Sequence, residues 1–116
     1  MEASVLSESG SNSAALLQDP RARFLRLQSD ERLVSLTRRG NEAAFETLIA
    51  RYRTRLLAFS RHMVGSTEDA EDILQEVFVS AYRAMLADDR ELNVRPWLYR
   101  IARNRSLNHL RRPRPT

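Results

Sequence analysis

Two neighbouring stretches of this chain carry apolar residues at spacings of three and four, and this pattern limits its folding options more than any other feature. Phe45, Leu48, Ile49, Tyr52, Leu56, Phe59 and Met63 form the first series, and Ala70, Ile73, Leu74, Val77, Phe78, Ala81 and Met85 form the second. The spacing matches the 3.6-residue turn of an α-helix and gathers each series on one face. Between them, Gly65 reads as a helix stop, and Ser66-Thr67-Glu68-Asp69 as a capping-box start whose early acids suit the positive end of the next helix. Two long amphipathic helices joined by a tight connection must bury their stripes on each other and on further helices.

The flanking punctuation supplies those partners. A helix is expected from a Ser29 or Asp30 cap to Arg39, stopping at Gly40, and the first long helix then starts at an Asn41 cap. Arg51, Arg53, Arg55 and Arg61 lie off its apolar stripe and read as a wet basic face. After the polar loop Asp88 to Val94, Pro96 fits the first turn of a last helix running to about Arg111, which Pro113 and Pro115 cannot continue. No internal repeat and no alternating strand pattern interrupts this series, so the expected class is all-α, a compact bundle of about four helices. Residues 1–28 read as a flexible amino-terminal extension, with serines at positions 4, 7, 9, 11 and 13. Within it, Asp19-Pro20 can cap and open a short helical turn that places Phe24, Leu25 and Leu27 to pack on the bundle or on a partner. Residues 29–112 form the helical domain, and 113–116 read as the start of an interdomain linker.

Composition matters for what the chain can bind. The net charge is +4, and every fixed cation is arginine because the chain has no lysine. Guanidinium groups fork onto phosphates and base edges and stack on flat π surfaces, although a G+C-rich coding sequence also favours arginine. Residues 90–116 hold eight arginines against one acid, Glu91, whereas residues 1–89 hold eleven arginines and fourteen acids. Such asymmetry points to a polyanion-binding end and a separate acidic surface. Without cysteine there is no disulfide framework, thiol nucleophile or cysteine zinc set, and an intracellular setting is expected. The amino terminus lacks the regions of a secretory signal, and no apolar run is long enough to span a bilayer, so membrane insertion is not expected and a cytoplasmic location is. His62 and His109 lack ligand partners at helical spacing, the acids of 68–76 lack a facing carboxylate set, and the three glycines form no phosphate loop. Neither an enzyme, a metal site nor a cofactor is expected.

Three stretches in order share one likeness. The run from Asp69-Ala70-Glu71-Asp72 through Gln75-Glu76-Val77-Phe78 to Ala81-Tyr82-Arg83 resembles region 2.2 of extracytoplasmic-function (ECF) sigma factors, with its pattern D-A-E-D-x-x-Q-E-x-F-x-x-A-[YW]-R. Trp97-Leu98, Ile101-Ala102, Asn104, Asn108 and Arg111-Arg112 are similar to the W-L-x-x-I-A-x-N signature of regions 2.3 and 2.4, and Asn41 to Tyr52 is similar to region 2.1. The likeness covers about residues 30–112 at family spacing.

The resemblance implies a helical domain that docks on the clamp helices of the RNA polymerase β′ subunit and captures the melted −10 non-template strand of promoter DNA. By family position, polymerase contact falls to Asp72, Gln75 and Glu76, with Asp69 a turn earlier; Phe78 either supports that face or is buried, and its place in the stripe favours burial. The loop from Ala87 to Arg95 would form the pocket for an extruded base, with Arg90 and Asn93 as readers and Arg95 beside them. It departs from the commoner family wording at Leu92, Val94 and Arg95-Pro96. On the last helix Arg100, Arg103, Asn104, Asn108 and Arg111 fall at spacings that can face DNA, with Arg112 following; the asparagines can also be structural hydrogen-bonders and the final arginines a basic linker. Trp97 reads as core rather than as a melting wedge.

The family also implies an anti-sigma factor as partner and a second domain, region 4, for the −35 element. Rival readings make different demands. A sigma mimic that only occupies an anti-sigma factor would be expected to lose its DNA-facing arginines, and an unrelated RNA- or duplex-binding module has no use for the Asp72, Gln75, Glu76 face.

Overall fold

The computed structural model describes residues 20–112. Its helices are α1 (Pro20–Arg26), α2 (Asp30–Arg38), α3 (Glu42–Val64), α4 (Thr67–Ala87) and α5 (Val94–Arg111), with no strand among the described residues.

Side-chain caps set three of the starts. Ser29 Oγ accepts the Arg32 amide at 3.1 Å, Asn41 Oδ1 accepts the Ala44 amide at 3.1 Å, and Ser66 Oγ accepts the Asp69 amide at 3.3 Å. Each satisfies an amide that the first turn of a helix leaves without an intrahelical partner. Helix α3 ends on Gly65 at φ 80°, whose amide returns to Arg61 O at 2.8 Å. Only glycine takes that left-handed conformation without steric cost. Helix α5 begins at Val94, the last residue of the expected loop, and Pro96 lies in its first turn as expected, where its missing N–H is harmless.

The long helices α3 and α4 form the centre, with α2 and α5 packed on both. Phe45, Leu48 and Leu56 of α3, Ile73, Leu74 and Val77 of α4, Leu33 of α2 and Leu98 and Ala102 of α5 belong to one continuous core. These side chains are excluded from solvent, so truncating a leucine such as Leu48 would cost about 2–5 kcal/mol. Phe45 and Tyr82 meet edge-on at 4.8 Å between centroids, and Phe59 and Tyr99 do so at 5.2 Å. Trp97 is partly buried against the core, and Phe78 is buried with the Arg53 guanidinium 5.8 Å from its ring centroid.

Arg51 departs from the expected wet face. Its guanidinium donates to Asp30 Oδ1 at 2.9 Å, to Arg26 O at 3.0 Å and to Gln28 O, while the Tyr52 hydroxyl donates to Asp30 Oδ2. One side chain of α3 thus binds both the start of α2 and the end of α1. Residues 20–28 of the expected extension are seated by this contact, with Ala22 and Leu25 buried against α3; Phe24 and Leu27 stay exposed. Asp19, expected as the cap of α1, lies outside the described residues, as do the rest of the extension and residues 113–116.

Candidate functional site

Helix α4 and helix α5 lie side by side and carry opposite surfaces. On α4, Ala70, Ile73, Leu74 and Val77 turn inward, which leaves Asp72 and Gln75 exposed on the outer side. Neither makes a hydrogen bond or ion pair among the described residues. Asp69 and Glu76, grouped with them by sequence, are partly buried and face α5. Asp69 Oδ2 lies 3.2 Å from His109 Nε2, and Glu76 Oε1 lies 3.7 Å from Arg105 Nη1. Arg105 also donates from Nη2 to Ser80 Oγ at 2.6 Å. The Glu76 and Arg105 side chains keep about two fifths of their exposure, so their ion pair is worth at most about 1 kcal/mol. It fixes side-chain direction more than stability, and both acids remain at the edge of the outward face.

On α5, burial of Val94, Leu98, Ala102 and Ser106 at every fourth position sends Arg100, Arg103, Asn104, Asn108 and Arg111 to solvent, together with Arg95 near the start and Arg112 after the end. None of the five exposed arginines has an acidic partner among the described residues. The helix carries no acidic residue, so nothing on it offsets their charge. Arg105 is the exception, because it turns toward α4.

The connecting loop has a different character. Asp88, Asp89 and Glu91 outnumber its single cation, Arg90, so the positive field belongs to α5 rather than to the loop. Arg90 is exposed, but its guanidinium pairs with Asp88 Oδ2 at 3.0 Å and its amide donates to Asp88 Oδ1 at 3.0 Å. The Arg90 amide first, and then its guanidinium, hold the Asp88 carboxyl below the usual carboxylate range. Asn93 occupies the cap position of α5 without making a side-chain cap bond, which leaves its exposed amide available for other contacts. Arg95 is likewise exposed beside it.

Sequence reasoning passed over Arg38. From the last turn of α2 its Nε donates to Met85 O at 2.8 Å and its Nη2 to Arg90 O at 2.8 Å. Helix α4 has no basic residue in its last turn and runs into Asp88-Asp89 at its negative end. That mismatch signals that a cation must come from elsewhere, although the sequence does not say from where. A groove of about 400 Å³ runs between α2 and the loop, bordered by Val34, Arg38, Asp89 and Leu92.

Among the described residues no group of three or more His, Asp or Glu side chains could hold a metal ion, and no helix is long and apolar enough to cross a membrane.

An acidic and polar α4 face thus stands beside an arginine-rich α5, joined to it by a loop braced from α2. The sigma-70 region 2 pattern matches residues 48–116, and the chain belongs to that family, in its ECF branch. It is 37% identical over 87 residues to the RNA polymerase sigma-H factor of Pseudomonas aeruginosa, covering 75% of this chain and 45% of that protein. It is 36% identical over 82 residues to the ECF RNA polymerase sigma-E factor of Escherichia coli K12, covering 71% of this chain and 42% of that one. For the ECF sigma factor SigW of Bacillus subtilis the identity is 30% over 82 residues, covering 71% and 44%. The chain therefore spans less than half the length of these curated relatives. An NMR structure of an engineered region 2 of sigmaE in complex with GTAAAA superposes with a TM-score of 0.65 at 36% identity, covering 72% of this chain and 86% of that one.

Proposed function

We propose that this chain is the region 2 domain of a sigma factor that docks on the clamp helices of the RNA polymerase β′ subunit and captures the unpaired non-template strand of the promoter −10 element. The observation that carries the reading is the division of the surface between α4 and α5. Asp72 and Gln75 stand exposed on α4 with Asp69 and Glu76 at their edge, a set suited to the basic and polar side chains of a partner helix pair. Arg100, Arg103, Arg111 and Arg112 stand exposed without acidic partners among the described residues, with Asn104 and Asn108 among them, a set suited to a phosphate backbone and base edges. The engineered sigmaE region 2 of similar fold was solved in complex with GTAAAA, which supports a nucleic-acid ligand for this domain.

No covalent step is required of this domain. The arginines draw the backbone in a salt-dependent way, and a base held by Asn93 and Arg90 offsets the few kcal/mol lost when it leaves the stack. Arg90 must leave or share Asp88 to read a base, which an exposed ion pair permits at little cost. Polymerization belongs to the partner enzyme, the setting is the cytoplasm where that enzyme works, and an anti-sigma factor is the expected regulator. The exposed arginines of α5, without acidic partners among the described residues, disfavour a sigma mimic that binds only the regulator.

Binding of the chain to a β′ clamp-helix fragment, followed by fluorescence anisotropy, tests the polymerase face. An Asp72→Ala, Gln75→Ala double variant of unchanged helicity should bind at least about tenfold more weakly. Equal binding by the variant and the wild type would remove α4 as the docking face.

A further inference from the structure

We infer that Arg38 is a positioning residue for strand capture: held against Met85 O and Arg90 O, it keeps the 88–93 loop in the form that receives an unpaired base. This rests on the strand-capture reading and adds to it a residue remote from the proposed contacts in sequence.

The geometry is specific. One guanidinium makes two 2.8 Å bonds to backbone carbonyls, one at the end of α4 and one in the middle of the loop, so the loop's departure from α4 is fixed relative to α2. A planar fork can bridge two carbonyls in this way, whereas a lysine ammonium acts as a point donor on a flexible stem. The loop has few other anchors. Asp88 and Arg90 bond to each other within it, Leu92 packs partly on the core, and Asn93 makes no side-chain cap bond. The three acids Asp88, Asp89 and Glu91 also repel phosphates, so attraction to DNA will not shape the loop on arrival. A loop ordered before binding spares the strand the entropy of ordering it. Arg38 makes neither of its bonds to a side chain, so a variant changes the loop's support without removing any proposed DNA contact.

The test uses the whole chain with Arg38→Lys and Arg38→Gln variants. Three quantities are measured: 15N order parameters of residues 88–93, affinity for a single strand containing GTAAAA against oligo-dT of equal length, and affinity for the β′ clamp-helix fragment. Lysine keeps the charge, so a loss in Arg38→Lys reports geometry rather than field. We expect lower order parameters in the loop, roughly tenfold weaker binding of the GTAAAA strand in both variants, and β′ affinity within about twofold of wild type. Unchanged loop order, or a loosened loop with undiminished strand affinity, would overturn the inference. A parallel fall in strand and β′ affinity would also overturn it, by showing that Arg38 supports the fold as a whole. Failure of the wild type to bind either single strand would refute strand capture itself, and is separated from the other outcomes because no variant is involved.

Discussion

Replacing Asp30 by alanine should destabilize the domain by about 3 kcal/mol, because this one carboxylate ties the start of α2 to α3. It accepts the Tyr52 hydroxyl at Oδ2 and Arg51 Nη1 at Oδ1, the latter at 2.9 Å, and it sits in the first turn of α2. A hydrogen bond to a charged acceptor contributes about 1.5–3 kcal/mol. The ion pair, with side chains about a quarter exposed, adds no more than about 1 kcal/mol after solvent screening, and the helix-dipole contribution adds about 0.3–1 kcal/mol. These contributions overlap, since they share one carboxylate, which places the expected loss near the middle of their combined range. Urea unfolding followed by circular dichroism reads it: the midpoint should fall while the slope stays that of wild type. Asp30→Asn keeps a neutral acceptor and should lose about half as much. A cycle of Asp30→Ala with Tyr52→Phe should show a coupling of about 1–2 kcal/mol. An Asp30→Ala variant within about 0.5 kcal/mol of wild type, or a cycle with no coupling, would refute the clasp as an energetic feature.

Three further outcomes are expected. The Tyr52 phenol is pushed up to about 12 by burial first and by its bond to Asp30 next, so its contribution is fully present below pH 10 and is lost as pH rises toward 12. Wild type should lose roughly 2 kcal/mol more than Tyr52→Phe across that interval in alkaline unfolding titrations, and parallel profiles would contradict this. The Ser106 hydroxyl is buried in α5 with no hydrogen-bond partner among the described residues, so Ser106→Ala should be neutral or stabilizing by up to about 1 kcal/mol; a loss larger than that would show that the hydroxyl has a partner. If Arg103 and Arg111 contact phosphates of a single strand, each alanine variant should make the slope of log affinity against log salt shallower by about 0.7, whereas Asn104→Ala should weaken binding without changing the slope.

What the sequence disclosed follows from the range of the interactions. The apolar stripes of α3 and α4 are local and periodic, and all seven residues assigned to the α4 stripe are buried. Caps at Ser29, Asn41 and Ser66 are equally local and occur where the residue types indicated. The outward side of α5 was legible too, because burial at every fourth residue determines what faces solvent. Side-chain contacts to residues distant in sequence were not legible. Arg51 lies off the apolar stripe and looked like surface, yet it reaches Asp30, Arg26 and Gln28 across more than twenty residues of sequence. Arg38 meets its acceptors across 47 and 52 residues. Glu76 and Asp69 matched an outward acidic face by spacing, but their lean toward Arg105 and His109 depends on how α5 docks, which no period encodes.

Strand capture requires that this domain hold an unpaired strand in preference to a duplex. Its most direct test is equilibrium binding of the wild-type chain to a labelled GTAAAA-containing single strand and to the duplex of the same sequence, at one stated salt concentration. At least about tenfold preference for the single strand is expected, since the duplex must first give up stacking before a base can reach Asn93 and Arg90. Equal or tighter binding of the duplex would contradict it and leave α5 as a general basic surface.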